Sequence, residues 1–436
     1  MPTGYFSLIL HAHLPFVRHP EYPEFLEEDW FYEAITEVYL PLIFIFQNQH
    51  EAGARPRLAM NVSPPLCEML ADPLLQERYT RHLENLLELA RKEFDRVQRE
   101  EPEFYDVVKM YVETLGASLD LWNNRYRRNL INAFRELQEE GVLEIITCCA
   151  THGFLPLIST TESRRAQIQI AVANYKKHFH RQPRGIWLAE CAYEPGVENL
   201  LKEAGIEYFI GDSHALLYGD PRPRFGVHAP VLLPNGVAVF ARDVETSQQV
   251  WSAEVGYPGD PFYREFYRDV GWDLPIDYLK PHLHKDGNRR HLGLKYFRIG
   301  ERGTPQHNKP PYVPRIAHEK AALHAYDFIG KRKDQARQLR ESFGGHPRSS
   351  FRRTTPSFTV TGGSKVRSSS ILCSASFFMI RTKSSPSRPA IFSTQTFRFR
   401  FSSRPHPRGA KTVITRSGST KEIRGCTRTS TTPSAG

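Results

Sequence analysis

YFSLILHAHLPF, residues 5–16, begins as an apolar, strand-like run and breaks at once into histidines and a proline. That is the form of a buried strand whose end delivers side chains to a site. The layout recurs in RLAMNVSPPL (57–66), LEIITCCATHGFLPL (143–157), RGIWLAECAYEPG (184–196), EYFIGDSHALL (207–217) and VAVFARDVETSQQVW (237–251). Helix-periodic stretches such as SRRAQIQIAVANYKKHFHR (163–181) and GVENLLKEAG (196–205) lie between several of these runs. Alternation of this kind predicts βαβ units and an α/β fold, a parallel sheet or TIM-like barrel with its site at the strand C-termini. Residues 70–142 are charged, helix-periodic and free of strand signal, and are expected to form a helical insertion. The last segment patterned for folding is EKAALHAYDFIGKRKDQARQLRESF (319–343).

Composition divides the chain. Residues 346–436 carry 17 Lys and Arg against the single acid Glu422, a charge of +16. Against the +10 of the whole chain, this leaves −6 for residues 1–345. The cations of the tail are scattered among Ser, Thr and Pro, with no nucleic-acid-binding motif among them, so a disordered, solvated segment is expected in preference to one that binds nucleic acid. The six cysteines show no CxxC spacing, and no charged-then-apolar leader opens the sequence, which predicts a cytoplasmic protein. No apolar run is long enough to span a bilayer.

The candidate chemistry sits just past the strands. His11 and His13, two apart, would point to opposite sides of an extended strand, so one is expected to line the site unless the turn begins there. Neither completes a metal set, and no metal or other cofactor is predicted. Glu190 lies among Trp187, Leu188, Ala189, Cys191 and Ala192, where a buried carboxylate is costly, and is expected to be functional. His152, Asp212, His214, Arg242, Asp243, Trp251, Arg268, Asp269 and Trp272 extend the pattern. Rings that stack on sugar faces, with polar groups for hydroxyls, suit a carbohydrate site.

HAHLPF (11–16), THGFLPL (151–157), GIWLAECAY (185–193) and RDVETSQQVWSAEVGYPGDPFYREFYRDVGWDLP (242–275), in this order, resemble signatures of glycoside hydrolase family 57, and within it the α-1,4-glucan branching enzymes. The likeness covers residues 4–345. It implies an incomplete (β/α)7 barrel with a helical insertion, Glu190 as nucleophile, His11 and His152 in the pocket, and an α-1,4-glucan substrate. His214 and Asp243 would contact substrate, and Trp30, Trp251, Arg268 and Trp272 would line the glucan path. Gly287 falls at the substrate edge or in a plain turn, the turn being favoured. Amylases and 4-α-glucanotransferases of the family are the alternative activities, and a non-catalytic glucan-binding protein is the alternative of another class. A metal-dependent deacetylase ranks below these.

The family's second carboxyl is an aspartate in a later signature of the form PYDAELYGHWW, which this sequence lacks. Back-translated residues 348–365, read one frame over, can spell IVVSPYDAELYGHWWFE, and residues 411–434 can give a stretch resembling the family's C-terminal helical domain. We read residues 346–436 as an out-of-frame product that replaces the last strand and that domain. The aspartate would straddle the codons of Thr354 and Thr355, and neither hydroxyl is an acid of suitable strength.

Overall fold

The computed structural model describes residues 5–54, 56–343 and 357–363. Its centre is a curled sheet in the order β6-β7-β5-β4-β3-β2-β1-β8. The strands are β1 (Tyr5–Ala12), β2 (Leu58–Val62), β3 (Leu143–Cys148), β4 (Gly185–Trp187), β5 (Tyr208–Gly211), β6 (Val231–Leu232), β7 (Ala238–Ala241) and β8 (Ser357–Gly363). Every pairing is parallel except β6 with β7. From β1 to β5 each new strand adds beside the last on the same side, through a helical crossover. Right-handed crossovers that always step one way keep their helices on one face, which is barrel winding and not the two-faced winding of an open sheet. This is the predicted incomplete barrel, and within the described residues its two edge strands do not pair with each other.

Local chemistry sets the element boundaries. The longest helix between β2 and β3, Pro73–Glu100, starts at Asp72, whose side chain accepts from the amide of Leu75 at 3.0 Å, and places Pro73 where no amide is needed. Thr160 caps Thr161–Phe179 in the same way, and that helix ends at His180 in the left-handed conformation. Gly185 opens β4 opposite Tyr208 of β5. A Cβ there would stand 2.3 Å from the tyrosine ring, so only glycine allows the two strands to pair at this point.

Helices 28–139 and the segment 263–321 share one large core, whose fully buried members include Phe31, Tyr39, Tyr79, Trp122 and Phe134. A smaller cluster on the other strand face contains Ile9, Ile146, Cys148, Trp187, Tyr208 and Ile210. The helical segments are joined to residues 263–321 by buried charge as well as by packing. Arg264 donates to Glu37 at 2.5 Å and to the Tyr111 hydroxyl at 2.7 Å, with its side chain 3% exposed.

Within the C-terminal segment, Ser357–Gly363 runs parallel to β1 from Tyr5↔Ser357 to His11↔Gly363. The reason is physical: SFTVT alternates polar with apolar or β-branched residues, and the outer edge of β1 offers unpaired amides and carbonyls to any segment that can extend. The rest of residues 344–436 lies outside the described residues. Among the described residues no helix is long and apolar enough to cross a membrane.

Glu37→Ala would leave the Arg264 guanidinium buried without its counter-charge, and should cost about 3 kcal/mol. Urea denaturation of the variant against the parent measures it, and a loss under about 1 kcal/mol would show the pair to behave as a surface bridge.

Candidate active site

Because β1–β5 and β7 are parallel, their C-terminal ends share one edge of the sheet. Register sets the level: His11↔Asn61, Asn61↔Ile146, Cys148↔Trp187 and Gly211↔Ala241. Just beyond follow His13, Ser63, His152, Glu190, Asp212 and Arg242.

Three histidines meet there. β1 ends at Ala12, so the chain has already turned at His13, and the expectation that one of the two histidines would point away is corrected. The His13 ring stacks on His152 at 3.8 Å and 18°, and its Nδ1 lies 2.9 Å from the Ser63 hydroxyl. His11 Nε2 lies 3.2 Å from His152 Nε2, and the His11 ring stacks on Trp187 at 4.5 Å. His13 thus stacks face to face on His152, whereas His11 meets His152 nitrogen to nitrogen. Among the described residues no group of three or more His, Cys, Asp or Glu side chains could hold a metal ion.

Glu190 follows the three-residue strand β4 in a left-handed turn, with φ of 53°, and Cys191 continues it at 58°. His152, after β3, has φ of 55°. Positive φ costs a side-chain-bearing residue free energy and persists where the surroundings impose it, commonly at functional sites. The turn corrects the expectation that Glu190 is buried: Ala189 and Cys191 are 1% and 3% exposed, while Glu190 between them is exposed. The left-handed step rotates the glutamate out of the apolar run that surrounds it in sequence.

Burial first, then the fields of Asp212 and Glu190, push the Cys191 thiol up to about 12 against the opposing pull of Arg242. The three charged groups are thus grouped around one inert, buried thiol. Asp212 is ion-paired to Arg242 and accepts from the Ser213 amide at 2.5 Å and hydroxyl at 3.0 Å. Burial alone would raise its pKa, but Arg242 and the Ser213 hydrogen bonds together hold the carboxyl below the ordinary aspartate range.

The other candidates scatter. His214 is 71% exposed, 3.7 Å from Asp212. Asp243 is turned inward, 3% exposed, capping Val244–Trp251 through the Thr246 amide at 2.9 Å and accepting from Gln335 at 2.6 Å. Its oxygens hold the helix Pro314–Ser342 against the barrel and do not face solvent, unlike the substrate contact expected of it. Arg268 is similarly engaged: it donates to Asp273 at 2.9 Å and to the Gln306 carbonyl at 2.7 Å, and lies over the Phe297 ring. Trp30, Trp251 and Trp272 are each at least half exposed. Gly287 has φ of 68° with open space where a side chain would stand, which suits a turn glycine.

Sequence reasoning missed Ser63 and Trp187 as partners of the histidines. Ser63 precedes two prolines and reads as a helix cap, yet its side chain makes no cap hydrogen bond, and the hydroxyl lies beside His13 instead. Trp187 reads as core, and is core, with one face against His11.

Comparison with known proteins identifies the family. Residues 7–332 match the family described as Glycosyl hydrolase family 57. A 1,4-alpha-glucan branching enzyme of Thermococcus kodakarensis is 33% identical over 371 residues, covering 78% of this chain and 51% of that protein. A probable 1,4-alpha-glucan branching enzyme of Mycobacterium tuberculosis is 28% identical over 75% of this chain and 59% of its own length. The chain therefore spans little more than half of these relatives. Among solved structures, the alpha-amylase AmyC of Thermotoga maritima superposes with a TM-score of 0.81 at 42% identity, covering 87% of this chain and 72% of that one. A family 57-type branching enzyme of Pyrococcus horikoshii superposes at 0.72 and 30% identity, over 86% and 67%.

Removing Arg242 should move Asp212. In the Arg242→Ala variant its pKa is expected to rise, read by carboxyl-carbon NMR titration. Because the native pKa is depressed, the pair's contribution to stability is present above about pH 4 and is lost as pH falls through the native value; the variant should lack that acid-side loss.

Proposed function

The chain belongs to glycosyl hydrolase family 57, and from that premise we propose that it descends from a 1,4-α-glucan branching enzyme in which Glu190 is the nucleophile of a retaining transglycosylation. The observation that supports the assignment is the left-handed turn that exposes Glu190 just past β4, at the same sheet edge as the strand ends that carry the histidines, where barrel enzymes hold their reacting groups. The substrate class is an α-1,4-glucan of the amylose or glycogen type, and the reading carries with it a cytoplasmic site of action.

In such a reaction Glu190 attacks the anomeric carbon, the C1–O bond to the leaving glucan breaks, and a glycosyl ester forms. A second carboxyl about 5–5.5 Å away gives its proton to the leaving oxygen. It then takes the proton of the incoming 6-hydroxyl as that oxygen attacks C1 and frees Glu190. His11, His13 and His152 offer ring nitrogens to sugar hydroxyls, and Trp187 fixes the plane of His11.

Among the described residues we find no second carboxyl suited to that role. Asp212, at the next strand end, is an anion in an ion pair, the protonation state opposite to that of a general acid. Level with His11 on β8 stands Gly363, and Ser357–Gly363 contains no Asp or Glu. Thr354 and Thr355, where the out-of-frame aspartate would fall, lie outside the described residues. We propose that the chain as written binds glucan and does not branch it, residues 346–436 being a frameshift product.

A second reading is supported by the 42%-identical structure, which is named an alpha-amylase. Water in place of the 6-hydroxyl would give reducing ends, whereas branching gives new α-1,6 linkages. The decisive comparison uses amylose, with this chain and with a chain whose frame is restored after Gly345. Branches released by a debranching enzyme should rise at least about 100-fold on restoration, the scale of a general acid–base group. Equal activity in the two proteins would overturn the inactive reading, and reducing ends without branches would favour the hydrolase. Glu190→Gln in the restored chain should abolish either product.

A further inference from the structure

Trp30 and Trp272 are far apart in sequence and equally exposed, at 51% each. Trp30 lies on Glu28–Ala34 and Trp272 on Val270–Asp273. Residues 289–291 reach the immediate neighbour of both. The Arg290 side chain forms an ion pair with Asp29, beside Trp30. The Arg290 carbonyl oxygen lies 1.8 Å from where a Cβ at position 271 would stand, an approach that only Gly271, beside Trp272, permits. Arg289 donates to the carbonyls of Gly271 and Leu274, both at 2.8 Å, and the His291 ring meets Trp272 edge-on at 6.0 Å.

The remaining anchors are buried. Asp269, fully enclosed, accepts from the amides of Gly271 at 2.9 Å, Leu292 at 2.8 Å and Gly293 at 2.9 Å. On the other side Glu28, 1% exposed, pairs with Arg78 at 2.5 Å and so ties the start of the Trp30 helix to Pro73–Glu100. Arg290 itself is 7% exposed, too deep to reach a bound sugar. Burying a guanidinium is unfavourable unless it is paired, and the partner of Arg290 is Asp29.

We propose that Arg290 is a positioning residue that sets the spacing of Trp30 and Trp272, so that the two indoles act as one platform for a linear α-1,4-glucan long enough to span both. This rests on the glucan-active reading and adds to it that affinity for long chains depends on an arginine that touches no sugar. A single stacked ring holds a sugar weakly. Two rings fixed at one separation bind a long chain without the ordering cost that two independent rings would incur.

The test is calorimetric titration of the full chain with maltose and with maltoheptaose. Arg290→Met should weaken maltoheptaose about tenfold and Arg290→Lys less, with maltose, too short to span the rings, held within about twofold. In a Trp30→Ala background, adding Arg290→Met should change the maltoheptaose Kd by less than about twofold, while its effect on Tm is the same in both backgrounds. A purely structural arginine would not show that split. If Arg290→Met does not fold, the near-isosteric Asp29→Asn takes its place with the same expected pattern. Equal weakening of both sugars, or the full loss persisting without Trp30, overturns the proposal alone. Absence of maltoheptaose binding by the unaltered chain overturns the glucan-binding reading and this proposal with it.

Discussion

Parallel pairing with crossovers that always step the same way is the constraint on which the site depends. Once β1 to β5 add in chain order, every strand must end at the same edge, and the residues after each strand are brought within reach of one another whatever their distance in sequence. His13 and His152, almost 140 residues apart, stack at 3.8 Å for that reason. The helices on the outer face serve this arrangement by burying that face of the sheet, and Arg264 with Glu37 fastens the segment after β7 to them.

The edge separates charge by environment. Glu190 is turned outward by a left-handed step, whereas Asp212 is fixed by Arg242 and Ser213 and stays ionised. A retaining mechanism needs two carboxyls whose surroundings push their proton affinities apart, one anionic and one protonated. Among the strand-end carboxyls described, Asp212 is held as the anion by Arg242 and Ser213, and Asp243 is taken up as a helix cap. On the proposed reading the edge offers a nucleophile and no acid, so the proposed inactivity follows from one missing side chain and needs no collapse of the pocket.

Most of the architecture was legible in the sequence, because strand runs that break into polar loops and alternate with helical periodicity have few foldings other than a parallel barrel. The candidate residues could be named from the sequence, but their arrangement could not. Glu190 reads as buried because its neighbours are apolar, and only the backbone turn, invisible in residue type, exposes it. Asp243 reads as a strand-end ligand but is taken up by Thr246 and Gln335, the second of which lies 92 residues further on. Trp187 reads as core, and its contact with His11 depends on parallel register across strands that periodicity cannot supply. In each case the deciding partner is distant in sequence, and local pattern carries no information about it.

The strand Ser357–Gly363 shows why fold and chemistry can part company. A parallel ladder is built from amides and carbonyls, which every residue but proline supplies, so the open edge of β1 accepts a segment with little regard to its side chains. A general acid has no such tolerance: it must be one carboxyl, at one level on one strand, within a few ångströms of Glu190. The register that brings Gly363 alongside His11 satisfies the backbone of β1 and leaves that level without an acid. On the proposed reading, a slip in frame thus preserves the sheet through its least specific interaction and removes the reaction through its most specific one.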